Sequence, residues 1–527
     1  MDSTRLAQIK KDYYLSTRKQ VESILGGESK DLKAYRIQYE KDLAQSRCST
    51  SNKRHFINRI KAADIVLVGD FHPLKQSSRA LLRLLRKESS PVVLGLECFD
   101  FRDQSAIDQY LTGIISEKDF LKAIEWKKKW GFPWENYKPL LKWAQSTQSQ
   151  VIALSDFRLQ NLKKRDQKSA QMIHEVRQKF PQKKIYIQYG DLHLATAHLP
   201  NEIRKKAPKA DVCVVLQSPE VIYFKLMNQS NDHLVDIVRL NNDKWALNSV
   251  PPWVKWQDYL LYLESGQDRR VKVDEQDLTD RVSHLVRLYN QSFGFNVEIS
   301  SLSVYSSADD YFFTLIDKLA APVKKRILEQ INEGVSFYIP EVEAGYLARH
   351  SINHIARIAA QYIYFKTKNF SRTLINPEKN FLQFIWFEMV NYLCIKVANP
   401  KRKTDTLLDI RTALQKEQFD DRGKEALTIA LMQKLNEMQF LSSGTLRPIT
   451  FKAKTSKKSI LAASQVLGSM MGEKFYFALN KKIIQLPKNK NLIFKNLETD
   501  SFSTIYYESL EMIESWPESF KSKFDKL

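Results

Sequence analysis

The sequence predicts an α/β fold with a mainly parallel sheet and flanking helices, followed by a mostly α-helical second part. Three observations predict it. Four short apolar runs, at 65–68, 92–96, 151–154 and 185–187, alternate with helical stretches. Near-continuous Val/Ile/Leu strands of this kind belong to parallel sheets covered on both faces. From about residue 270 helical periodicity takes over, with few strand signals. Finally, 15 Gly and 17 Pro in 527 residues leave the chain poor in turn formers, which tilts it toward helix.

Taken in order, residues 1–62 read as an N-terminal helical segment of two or three polar amphipathic helices, broken at Gly26-Gly27. The α/β domain is expected over 63–265. Its strands are separated by helical stretches at 77–87, 104–111, 120–126, 137–144 and 162–179, and Ser116 gives a helix start before Phe120. The β-rich runs 212–216, 221–227 and 234–240 are expected as antiparallel additions at the sheet edge. Pro251-Pro252 closes the domain, with a helix at 256–263 packing back on it. The third part, 270–527, is expected to be helical, without a repeat of fixed period and with little chemistry.

Composition narrows the function classes. Hydrophobic residues make up 43% of the chain, enough for real cores, so wholesale disorder is excluded. The net charge is +22, but it is spread along the chain. The one local basic run, Lys452, Lys454, Lys457 and Lys458, lacks interleaved aromatics, so it reads as a solvated loop and argues against nucleic acid. The four cysteines lie far apart with no CxxC pair, which argues against disulfides and a thiolate zinc site. No apolar signal region opens the sequence and no run of 18 apolar residues occurs, so the expectation is a cytoplasmic chain without a membrane span.

The chemistry concentrates at strand ends. In an open parallel sheet, ligands bind beyond the carboxyl ends of the strands. The first strand runs into Gly69-Asp70-Phe71-His72, the second into Glu97, the third into Ser155-Asp156 and the fourth into Gly190-Asp191-Leu192-His193. Two GxxH turns and a carboxylate are therefore expected on one sheet edge. Such a set can ligate a first-row metal or serve as acid and base. Asp70, His72, Glu97 and His193 are expected within side-chain reach of one another, with both imidazoles reaching solvent.

These segments resemble a known family. "VLVGDFHPLKQSSRALLRLL", the block from "VVLGLECFDFRDQ" to "WENYKPLLKWAQ", "VIALSDFR" and "YIQYGDLHLATAHLP" look like the ChaN-like domain. That domain sits in the superfamily of Tiki proteases, TraB proteins and erythromycin esterases. The resemblance covers residues 60–265. It implies that His72, His193 and Glu97 are the family's marked residues, with Arg165-Asp166 matching its basic position. The sequence departs in having Asp70 where the family usually has Glu, and Ser77 and Ser78 where many members have further His. No lipobox is present.

The resemblance implies haem-binding uptake, with His72, His193, Tyr137 and Arg165 as cofactor-binding residues; Tyr137 reads first as a helix-start hydroxyl capping a core contact, with an iron-ligating phenolate as the alternative. Its protease and esterase branches imply an alternative, a hydrolase. There Glu97, His72, His193 and Asp70 would be catalytic, or a divalent transition metal held by His72, His193 and Glu97 would activate water. The partner is then a small molecule, either haem or a hydrolysable substrate, and a homodimer stays open. Trp126, Trp130, Trp134 and Trp143 are read as core or lid packing, with a wall for a flat ligand as the alternative. His350 and His354, four apart, would share a helix face but lack the Glu of a metalloprotease motif.

Overall fold

A computed structural model describes residues 3–229, 232–264, 278–299, 302–306, 310–368, 376–416, 420–447, 449–516 and 521–523. They divide into one unit of residues 10–274 and another of residues 1–9 with 275–526.

The first unit is built on an eight-stranded sheet. Its strands are β1 (Ser49–Thr50), β2 (Ile65–Asp70), β3 (Val93–Asp100), β4 (Gln150–Ser155), β5 (Ile185–Gly190), β6 (Val212–Gln217), β7 (Ile237–Arg239) and β8 (Lys244–Leu247). They lie in the order β1-β7-β8-β6-β2-β5-β3-β4. Every pairing from β8 to β4 is parallel, and antiparallel pairing is confined to the β1–β7–β8 edge. The two-residue period of a strand divides its side chains between two cores. Val66 and Val68 join Leu94, Leu96, Tyr186 and Val215 on one face. Ile65 and Leu67 join Val93, Ile187, Val212 and Val214 on the other. Both faces are therefore dry, which is why these strands read as continuous apolar runs.

Three expectations change. Residues 212–217 are not an antiparallel edge addition: β6 pairs in parallel with β2 near the middle of the sheet. Residues 221–227 are not a strand but part of the helix Glu220–Asn228. Ile222, Tyr223 and Leu226 are its buried residues, a helical spacing hidden inside a short run where almost everything is apolar. Finally, residues 10–62 belong to the α/β unit rather than forming a segment of their own. Tyr39 and Leu43 of the helix Lys30–Gln45 enter one core, and Phe56 and Ile60 of the helix Lys53–Ala62 enter the other. Polar outer faces made this segment look self-standing.

The second unit is mostly helical but contains a three-stranded sheet, β9 (Ser303–Tyr305), β10 (Phe337–Ile339) and β11 (Ala344–Tyr346), in the order β10-β11-β9. Its central contact joins the helices Phe381–Ala398 and Lys457–Asn480, where Gly468 and Gly472 bring the backbones together. A Cβ at Gly468 would stand 2.6 Å from the carbonyl oxygen of Ile385. Phe381–Ala398 is long and apolar enough to cross a membrane, and most of it is buried inside the unit, as in the core helix of a folded domain. His350 precedes the helix Ile352–Lys368, so it shares no helix face with His354. His354 Nδ1 instead lies 2.8 Å from Ser336 Oγ. Burial, with Arg349, Arg357 and Arg402 nearby, pushes its pKa down to about 4.

Candidate functional site

The carboxyl ends of β2, β5 and β3 lie side by side, because β5 is inserted between β2 and β3. The two GxxH turns and Glu97 therefore converge. An atom placed at the Cβ position of Gly190 would lie 3.3 Å from Glu97 Oε2, 3.5 Å from His193 Cδ2 and 3.5 Å from His72 Cε1. Three of the four sequence-selected side chains thus surround one point. The fourth, Asp70, stands behind His72, its Oδ2 2.8 Å from His72 Nδ1.

Each group is held by a local device. β3 leaves register with β4 between Leu96 and Asp100, a bulge that re-aims the strand where Glu97 sits. Ser155 Oγ donates to the Glu97 carbonyl at 2.6 Å, closing the distorted stretch. The Glu97 carboxylate accepts from the Gly190 amide at 2.5 Å and from Arg165 Nη2 at 3.3 Å. Arg165 and Asp166 follow the first turn's opening residues in the helix Leu162–Lys179, whose start is capped by Asn161. Asp166 Oδ1 lies 2.5 Å from His193 Nδ1, and Asp166 Oδ2 accepts from Tyr35 Oη at 3.0 Å.

Both histidines thus have Nδ1 tied to a carboxylate. That arrangement fixes the ring and presents Nε2 as the free nitrogen, as second-shell carboxylates do for metal-binding or acid–base imidazoles. Burial works against charge on His72, but the hydrogen bond to Asp70 and the carboxylates of Asp70 and Glu97 outweigh it and raise its pKa. The His72 side chain is 26% exposed and that of His193 only 8%. The expectation that both reach solvent therefore holds for His72 and fails for His193, which Tyr35 and Tyr189 flank at 5.3 and 5.0 Å between ring centroids.

Tyr137 lies behind this layer. It is 1% exposed and donates to Asp70 Oδ2 at 3.0 Å. Burial and the neighbouring Asp70 hold its phenol protonated, which agrees with the reading as a core contact and does not fit the alternative of an iron-ligating phenolate. Asp156 pairs with Arg158 at 2.7 Å. Ser77 and Ser78 are structural: Ser77 Oγ accepts from the Phe71 amide and Ser78 Oγ from Gln188 Nε2. The tryptophans separate. Trp126 and Trp134 are core residues, whereas Trp130 and Phe132 stand edge-on and tilted against His72, with centroids at 4.6 and 5.2 Å.

Sequence reasoning missed Tyr35, which lies 131 residues from its partner Asp166. Asp191 was noted only as part of its turn. Its Oδ1 accepts from the Gln217 amide at 3.3 Å, while its buried Oδ2 has no hydrogen-bond partner among the described residues, and burial raises its pKa to about 7 despite nearby Lys255. No three His, Cys, Asp or Glu among the described residues form a ready metal-holding group. In the cluster, both Glu97 oxygens and both Nδ1 atoms are already engaged by the protein.

Residues 56–196 match the family model described as haem-binding uptake, Tiki superfamily, ChaN. Among solved structures, the chain is similar to one titled cofacial heme binding to ChaN of Campylobacter jejuni. The identity is 16%, over 32% of this chain and 88% of that one, with a TM-score of 0.25. No curated protein matches the sequence.

Proposed function

The chain carries a ChaN-like domain over residues 56–196, and on that premise we propose that its strand-end cluster binds haem or a related iron-bearing planar ligand. One observation carries the reading: two carboxylate-oriented histidines, His72 and His193, bring their rings around a single point, with His72 Cε1 and His193 Cδ2 each 3.5 Å from the Cβ position of Gly190. Neutral imidazole is a good donor to iron, and such iron supplies ligand-binding or redox chemistry set by its axial groups. Two further features support the fit. Trp130 and Phe132 place aromatic surface beside His72. Arg165 Nε is buried without a hydrogen-bond partner among the described residues, a donor suited to a carboxylate such as a propionate.

Within this reading His72 and His193 hold the ligand, Asp70 and Asp166 orient them, and Arg165 balances Glu97. A haem titration followed in the visible region tests it. A Soret band that saturates at a fixed stoichiometry, and weakens in His72→Ala and His193→Ala, is the expected result. No saturable band at stoichiometric haem would sink the reading.

A second reading rests on the Asp70–His72 pair. Its raised pKa and carboxylate partner suit a general base, and the oriented Glu97 could assist a hydrolytic step. Turnover of p-nitrophenyl acetate that disappears in His72→Ala, without haem binding, would favour it.

A further inference from the structure

The helical unit contains a cavity of about 160 Å³. Four helices and a strand each turn one face to it. Val323, Arg326, Ile327 and Gln330 come from the helix Ala321–Asn332 at helical spacing, as do Arg357, Gln361 and Phe365 from the helix Ile352–Lys368. The strand β10 adds Phe337 and Tyr338. Phe384 and Phe387 come from the helix Phe381–Ala398, and Leu461, Ser464 and Gln465 from the helix Lys457–Asn480.

The wall is firmly held. Arg357 grips Glu388 through two hydrogen bonds of 2.6 and 2.5 Å and donates to the Ser336 carbonyl at 3.0 Å. Gln361 Oε1 accepts from the Tyr338 amide at 2.8 Å. Protein interiors are close-packed and rarely keep voids larger than a few waters, and an apolar cavity of about 150 Å³ is large enough for a single aromatic ring. This pocket is open to solvent on one side, and its braced walls leave room for a guest of that size.

The polar groups suggest which guest. Two acidic wall residues already have basic partners: Glu388 is held by Arg357 and also faces Arg326, as Glu329 does, and Glu333 pairs with Arg422 and Lys458 at 3.0 and 3.2 Å. Glu341 lines the cavity beside Tyr338. Arg326 brings a guanidinium over the Phe384 ring, 4.7 Å from its centroid, where ring and charge face one space. The side-chain amides of Gln330 and Gln465 have no partner among the described residues. An arginine with aromatic walls and two free amides suits a carboxylate attached to a ring.

We propose that this cavity binds a small aromatic carboxylate, the ring packed among Phe337, Phe365, Phe384 and Phe387 and the carboxylate directed to Arg326. The site is independent of the strand-end cluster.

Phenylacetate is the probe, measured on the full chain by calorimetry and ligand-detected NMR, with benzyl alcohol and 2-phenylethylamine as neutral and cationic counterparts. The expected result is saturable one-to-one binding of phenylacetate, weaker binding of benzyl alcohol and none of the amine. Arg326→Gln should weaken phenylacetate at least tenfold and leave benzyl alcohol unchanged. Val323→Trp, at the partly exposed rim, should block all three while circular dichroism reports an intact fold. Absence of saturable phenylacetate binding at millimolar concentration would overturn the proposal. So would a preference for the amine, or equal phenylacetate affinity in folded Arg326→Gln.

Discussion

Arg165 and Asp166, neighbours on one helical turn, hold opposite sides of the strand-end cluster: Arg165 reaches Glu97 and Asp166 reaches His193. One turn of helix thus sets the orientation of a carboxylate on β3 and an imidazole just after β5. The cluster is positioned by tertiary packing as much as by the strand ends themselves.

Asp166→Asn tests that positioning. The variant keeps the volume and an acceptor for His193 Nδ1 but loses the negative charge, so the ring is held less firmly and its Nε2 is a weaker donor to a ligand. Ligand affinity should fall about 10- to 100-fold, the usual effect of removing a second-shell partner. A haem titration of the variant measures it, and unchanged affinity would show that His193 needs no such support.

Gly190→Ala probes the centre of the cluster. Gly190 has φ −51°, which any residue adopts, so the change adds no backbone strain. The new methyl would occupy the point shared by Glu97, His72 and His193, at 3.3–3.5 Å from each. Binding should drop at least tenfold with the melting temperature nearly unchanged. Gly69→Ala provides the contrast: its Cβ would stand 1.8 Å from Asp191 Oδ1, so it should destabilise by about 1–3 kcal/mol through overpacking.

Truncations should separate folding from function. Val68→Ala and Leu94→Ala remove fully buried groups from β2 and β3 and should cost roughly 1–5 kcal/mol. His72→Ala should cost under about 1 kcal/mol, because its side chain is partly exposed. His193→Ala should cost about 1–3 kcal/mol, since it leaves the buried Asp166 carboxylate one hydrogen bond short. Chemical denaturation of the four variants checks the order. Equal losses for His72→Ala and Val68→Ala would make His72 a core residue.

The Asp191 contribution to stability should fall as pH rises from about 4 to 7, opposed by that of His354, whose lowered pKa adds stability with rising pH over the same range. Burial lifts the Asp191 carboxyl from 3.8 to about 7, so the folded chain holds a proton that the unfolded chain has released. The sign is therefore a loss of stability with rising pH across that window, at most on the order of 4 kcal/mol. His72 acts in the same direction at higher pH. Its elevated pKa gives a contribution fully present below about 6.5, the unfolded value, and lost as pH rises through the folded one. Asp191→Asn should flatten the fall between pH 4 and 7 in melts across pH. A slope unchanged from the parent chain would refute the assignment.

The local grammar of the fold was legible in the sequence. Ile65, Val66, Leu67 and Val68 are all buried, so they spell a two-sided strand without reference to anything distant. The Gly-Asp-x-His turns and Glu97 were visible for the same reason: each is a short departure from an apolar run, written within four residues.

What only the tertiary structure decided is which strands are neighbours and which side chains stand behind the site. β5 enters between β2 and β3, and that insertion brings His193 beside His72 and Glu97. No local signal encodes it, because strand order is settled by the packing of helices on both faces. The same holds for Tyr35 reaching Asp166 across 131 residues, for the 221–227 run becoming a helix, and for Tyr137 buried against Asp70. A side chain's neighbours along the chain set its backbone preference. Its neighbours in space set its charge, its exposure and its use.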